Sequence, residues 1–165
     1  MIVSDSTALI ILFDLDRLEL LENIFEKIYI PSSVLDEISF KYPILLPPFI
    51  KVIELKEDEL FHSLQMILDI GESEAIALAK EMNLSIIIDE KKGRKIAKSM
   101  GLKVIGLLGV VYLNIKKGFL SKSKAREFLD RAINNGYRIS NKMVEDMLYS
   151  IDDENLKIIK LKDNR

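Results

Sequence analysis

An α/β fold built on a parallel sheet with both faces covered is predicted by three features of the chain. Short apolar runs alternate with longer amphipathic stretches through most of the sequence, the order that a parallel sheet requires. One run, Ser85-Ile86-Ile87-Ile88, is continuously apolar after its first residue, as in a strand buried on both sides. Acidic residues also follow two of the runs directly, Asp5 and Asp89. That is the sheet edge at which open α/β folds bind ligands.

The elements follow in order. Ile2-Val3-Ser4 is a strand, and Ser6 is placed to cap a helix opening at Thr7. Leu18, Leu21 and Phe25 share one stripe, which predicts a helix over 15–25. Lys27 to Ile30 is a second strand, stopped by Pro31. Ser32 and Ser33 are plausible caps for the helix through Val34, Glu37 and Ile38. Residues 42–48 hold three of the four prolines and must be a loop, and their apolar content makes them a candidate contact surface or lid. A strand over 50–55 precedes an amphipathic helix from Glu57 to Asp69. Gly71 breaks it, and a new helix starts at Glu72 and runs to about Met82. After the strand at 85–88 come a basic helix from Lys91 to Met100, a strand at 103–105 and a helix from Leu107 to Lys116. Ser121 caps the next helix, which reaches Asn134, and Asn135-Gly136 is a turn. A last helix covers about Asn141 to Tyr149.

Size and composition narrow the class. At 165 residues one domain with a full core is expected, over residues 1–150, with a polar tail at 151–165. Apolar content of 48% and charged content of 30% exclude a disordered or fibrous chain. There are no cysteines, which removes disulfides and thiol chemistry and fits a reducing cytoplasm. No apolar stretch is long enough for a membrane span, and no cleavable signal follows Met1. A net charge of −2 means that any nucleic acid must be bound through a local basic patch.

Four carboxylates carry the functional argument: Asp5, Glu37, Glu72 and Asp89. Asp5 and Asp89 stand at strand ends, where each could equally be a helix cap. Glu37 lies on a helix face that overlaps the apolar one beside Val34 and Ile38. Glu72 shares a face with Ile76 and Ala79 at the start of its helix, where its charge is favoured. Glu74 faces further outward and is the second choice. Four acids from four elements make an all-oxygen set suited to Mg²⁺ or Mn²⁺. Without a cation they would repel one another and shift toward protonation. Thr7 is placed to orient Asp5 or a metal-bound water.

Four segments also resemble the motifs of PIN-domain proteins. Ile2-Val3-Ser4-Asp5-Ser6-Thr7-Ala8-Leu9-Ile10 is similar to their opening strand, Asp and Ser/Thr. Ile30-Pro31-Ser32-Ser33-Val34-Leu35-Asp36-Glu37-Ile38 looks like the second motif, Gly71-Glu72-Ser73-Glu74-Ala75 the third, and Ile86-Ile87-Ile88-Asp89 the fourth. The segments around Arg94 to Ala97, Gly101 to Val104 and Gly106 to Gly109 resemble a prokaryotic PIN-like branch of predicted toxins. The resemblance covers about residues 1–150. It implies a three-layer α/β/α fold and Mg²⁺- or Mn²⁺-dependent RNA cleavage, with Asp5, Glu37, Glu72 and Asp89 holding the metal. It also implies a VapC-like toxin of a type II toxin–antitoxin pair, restrained by a cognate antitoxin and often dimeric. Two departures stand out. Many relatives have Asp where this chain has Glu72, and a further Asp where it has Glu90-Lys91-Lys92.

Substrate attraction is expected from Lys91, Lys92, Arg94, Lys95 and Lys98, which follow Asp89 directly. Lys91, Lys95 and Lys98 share a helix face and would grip a phosphate backbone without reading bases. A solvated lysine face is an equally good reading of the same residues. His62, the only histidine, lies mid-helix and carries little catalytic weight. The alternative is a PIN-like module that has lost catalysis and binds RNA or protein. A Mg²⁺-dependent phosphatase is disfavoured because no glycine-rich phosphate loop and no Asp-x-Asp follows the first strand. A receiver domain is disfavoured because paired acids are missing there.

Overall fold

Strand order places the candidate acids before any side chain is considered. In the computed structural model, which describes residues 1–41, 43 and 45–163, the strands are β1 Ile2–Ser4, β2 Ile28–Pro31, β3 Ile50–Ile53, β4 Ile86–Ile87 and β5 Val104–Ile105. They form one sheet in the order β3-β2-β1-β4-β5, and every pairing is parallel. The chain moves outward from β1 to β3, then returns to the other side of β1 for β4 and β5. The order therefore reverses between β1 and β4, which makes a crevice beyond their carboxyl ends.

The helices are α1 Ser6–Asp14, α2 Glu19–Glu22, α3 Ser32–Lys41, α4 Glu59–Gln65, α5 Ile70–Met82, α6 Lys91–Ser99, α7 Leu107–Lys116, α8 Lys122–Asn134 and α9 Asn141–Asp163. Two compact units result, Met1–Val110 and the chain from Val111 on. In the first, Val3, Ile86 and Ile88 point to one side of the sheet. They form a core with Phe61, Leu64 and Leu68, with Ala75 to Ala79 of α5, and with Ala97 of α6. The alternate residues Ile2, Ile28, Ile30 and Ile87 are buried on the opposite side. Right-handed crossovers place α1 and α3 there. This is an α/β fold with a parallel sheet flanked by helices.

In the second unit, α8 and α9 bury Ala125, Phe128, Leu129 and Ala132 with Val144, Met147, Leu148 and Ile151. Arg126 Nη2 meets Glu145 Oε2 at 3.0 Å, and Lys122 pairs with Asp152. The last helix does not stop at about Tyr149 but runs on through the polar stretch to Asp163. Glu154 accepts from Tyr112 Oη at 3.1 Å and pairs with Lys116. Polar composition there marks a charged helix face that these bonds hold.

Three other elements depart from expectation. Only α2 forms within 15–25: Asp16 takes a left-handed φ of 53°, and a single turn is enough to bury Leu20 and Leu21. Ser6 is the first residue of α1 and does not cap it, because Asp5 holds the cap position. Gly71 lies inside α5, because Asp69 Oδ1 accepts from Glu72 N–H at 2.8 Å and starts the helix early. In the 42–48 loop, Leu45 is fully exposed, while Tyr42 and Ile44 lie outside the described residues. Among the described residues, no helix is long and apolar enough to cross a membrane.

Candidate functional site

β1 and β4 lie side by side, with Ser4 opposite Ile87, and Asp5 N–H donates to Ile87 O at 3.0 Å. Asp5 and Asp89 therefore leave the sheet next to each other at the crevice. Asp5 is 2% exposed. It stands at the N-cap of α1, where the Thr7 amide faces its carboxyl without closing a capping hydrogen bond. Burial pushes its carboxyl well above the usual range, and the charges of Asp89 and Glu72 push the same way. The Thr7 and Asp89 amides offset part of this. Thr7 is half-buried in the first turn of α1.

α5 brings Glu72 to the same place. Small residues on its inner face, Ala75 and Ala79, are fully buried and let it lie close to the sheet. Glu72 is 8% exposed. Its carboxyl is pushed up to about 7, first by burial and then by the charges of Asp69, Glu90 and Glu37, against one backbone hydrogen bond at Asp69. Glu37 is half-buried on α3 and accepts from the Ser6 hydroxyl. Burial raises its pKa, the Ser6 bond opposes that, and Asp69 and Glu74 add to it. Asp89 is half-buried. Both its oxygens accept from Leu107 N–H, at 3.1 and 3.2 Å, so it caps α7 and not the helix that follows it in sequence.

Mutual repulsion thus links all four predicted acids: Asp5 with Asp89 and Glu72, and Glu72 with Glu37. Glu74 also repels Glu37 but is engaged by another partner. Its Oε2 accepts from Ser33 N–H at 3.1 Å and from the Ser33 hydroxyl, tying α5 to the start of α3. Three glycines shape the spaces around the acids. A Cβ on Gly71 would run into the Glu37 carboxylate, one on Gly93 would meet Glu72 Oε1 at 2.9 Å, and one on Gly106 would meet Asp89 Oδ1 at 2.7 Å.

The fit to a divalent cation has two sides. Asp5 Oδ1 and Glu72 Oε1 are buried oxygens with no hydrogen-bond partner among the described residues, and buried acceptors are seldom left so. The donors are all oxygen, as Mg²⁺ or Mn²⁺ prefers. Among the described residues, however, no three His, Cys, Asp or Glu side chains converge closely enough to hold one ion as they stand. Glu37 and Asp89 are turned toward Ser6 and Leu107. The donor chemistry fits, and side-chain rotation is what loading would require.

Lys91, Lys92, Lys95 and Lys98 are exposed on α6, and none has an ion-pair partner among the described residues. Arg94 differs: it is half-buried, and its Nη1 donates to Ile88 O at 2.9 Å. His62 is exposed on α4 against Phe61, with ring centroids 5.5 Å apart. Sequence reasoning missed Asp69, Glu90 and Ser6. Asp69 carried a readable signal, an Asp three residues before Glu72 at a helix start, and Glu90 directly follows Asp89. Ser6 carried none, because its partner lies on another helix.

None of the curated proteins compared matches the chain. A family model does: DUF3368, described as a PIN domain, matches residues 1–153. That description implies a nuclease-type fold. With nearly its whole length covered, the chain belongs to the PIN-domain family.

Proposed function

We propose that this protein is a metal-dependent endoribonuclease that hydrolyses RNA phosphodiester bonds. The observation that carries the reading is the pair of orphaned buried oxygens, Asp5 Oδ1 and Glu72 Oε1, set among carboxylates at the switch point of the sheet. An uncompensated buried charge is expensive, and a divalent cation between Asp5 and Glu72 would compensate both. Asp5, Glu37, Glu72 and Asp89 would hold Mg²⁺ or Mn²⁺, which when bound polarises the phosphate and supplies hydroxide from water. The protein's own groups position the reaction. Ser6 and the Leu107 amide hold Glu37 and Asp89 until an ion draws them over, and Thr7 borders Asp5. Lys91, Lys92, Lys95 and Lys98 draw the RNA backbone toward the crevice without selecting bases.

The same reading makes the chain the VapC-like toxin of a type II pair, acting in the cytoplasm as a homodimer and restrained by a cognate antitoxin. That part rests on the motif resemblance. A second reading, a PIN-like module without catalysis that binds RNA or protein, is favoured by one observation: among the described residues no three ligand side chains converge.

Cleavage of a mixed RNA pool separates the two. The nuclease reading expects cutting with Mg²⁺ or Mn²⁺, none in EDTA, and none by Asp5→Asn or Asp89→Asn. Folded protein that binds RNA but never cuts it, with either ion, establishes the second reading.

A further inference from the structure

Arg94 is set apart from the lysines beside it. It is the fourth residue of α6, and its side chain folds back to β4 and donates to the carbonyl of Ile88, the residue immediately before Asp89. Ile88 N–H is itself held by Ile105 O at 3.0 Å. A Cβ placed on Gly106 would lie 2.7 Å from Asp89 Oδ1 and 2.8 Å from Arg94 Nη1. The carboxylate and the guanidinium therefore border the same small space, which is open only because residue 106 is glycine. Leu107 N–H also reaches Asp89, donating to both oxygens. A guanidinium carries five donors in a rigid fork, so one arm can fix a carbonyl while its charge stays beside the acid that follows.

The geometry points to Arg94 as a positioning residue of the acidic site and not a phosphate contact. Anchored on Ile88 O, it fixes the turn from β4 into α6 and sets where Asp89 stands relative to Asp5. Gly106 provides the room for this, and Leu107 N–H holds the carboxylate while no ion is bound. The assignment deepens the nuclease reading and rests on it. It leaves the RNA backbone to Lys91, Lys92, Lys95 and Lys98. Residues that orient a metal ligand commonly change metal affinity by about 10–100-fold when replaced, and that is the signature to look for.

The test compares wild type with Arg94→Met, which keeps the buried stem, and Arg94→Lys, which keeps the charge without the fork. Mn²⁺ is titrated by calorimetry without RNA. Binding of a single-stranded RNA is measured in EDTA across a range of salt, and circular dichroism with thermal melting checks folding. The expected result is folded variants with RNA affinity and salt slope unchanged, and Mn²⁺ affinity about 10–100-fold weaker in Arg94→Met. Arg94→Lys recovers only part of that loss, and low millimolar guanidinium restores part of it to Arg94→Met. If Arg94→Met does not fold, Arg94→Lys carries the comparison. Unchanged Mn²⁺ affinity with weaker RNA binding and a shallower salt slope overturns the assignment and makes Arg94 a phosphate contact. If wild type itself binds no Mn²⁺, the nuclease reading fails and the assignment falls with it. Equal Mn²⁺ binding by all three proteins overturns only the role of Arg94.

Discussion

A methyl group on Gly93 would lie 2.9 Å from Glu72 Oε1 and 2.5 Å from Ile88 Cδ1, so α6 approaches α5 closely only because residue 93 has no side chain. The Glu72 oxygen is the end of a flexible side chain, but Ile88 is fully buried in the core. Gly93→Ala should therefore fold with a loss of about 1–3 kcal/mol by urea unfolding, partly offset by the better helix propensity of alanine. What moves is the Glu72 carboxylate, and Mn²⁺ affinity by calorimetry should fall by at least about tenfold. Undiminished affinity would show that Glu72 does not hold the ion.

Removing charge from the crevice should stabilise the metal-free protein. Asp5 and Glu72 are buried beside other carboxylates, each with an orphaned oxygen. Asp5→Asn or Glu72→Gln should raise the unfolding free energy at pH 8 in EDTA by about 0.5–2 kcal/mol, the usual yield of relieving a strained functional site. Cleavage should be lost in the same variants. A destabilised variant would mean that the carboxylate is structural.

Stability should depend on pH in a defined direction. Glu72 is raised to about 7 and Asp5 is also raised. A carboxyl with a raised folded pKa is protonated in the native state while already ionised in the unfolded one. Its contribution is full below the unfolded value of about 4 and is lost as pH rises through the folded value. In EDTA the melting temperature should fall between pH 5 and 8. Glu154 and Glu145, held low by Lys116 and Arg126, weaken the fold only as pH falls below the usual carboxylate range. Mg²⁺ should raise the melting temperature more at pH 8 than at pH 5, because ion and proton compete for the same oxygens. A melting temperature flat across this range contradicts the coupling.

The lysine face makes a separate prediction. Replacing Lys91, Lys95 and Lys98 with alanine should weaken RNA binding in EDTA and flatten the plot of log affinity against log salt, by roughly 0.7 for each phosphate no longer neutralised. Mn²⁺ affinity should not change. Identical binding by wild type and the triple variant would remove this face from substrate capture.

The parallel sheet and the places of the four acids along its elements were legible for one reason. Apolar runs end at Asp5 and Asp89, and period alone puts Glu72 on the inner face of α5 and Glu37 near that of α3. Spacing does not say which groups from distant elements arrive beside them. Ser6 reads as a cap until α3 delivers Glu37 to its hydroxyl. Arg94 reads as one more cation until it is found on Ile88 O. Gly71 reads as a breaker, although Asp69 begins the helix ahead of it and its missing side chain makes room for Glu37. The turn at Asp16 and the length of α9 were hidden similarly, since tertiary packing and not local pattern sets both.

The most direct test is a crystal of the protein soaked in Mn²⁺ and measured at the manganese absorption edge. The account predicts an anomalous peak in the crevice between β1 and β4, within bonding distance of Asp5, Glu37, Glu72 and Asp89. Asp89 should then have turned from Leu107 N–H toward the ion. An empty crevice at saturating Mn²⁺, with Asp89 still on Leu107 and Asp5 Oδ1 still unpartnered, would contradict it.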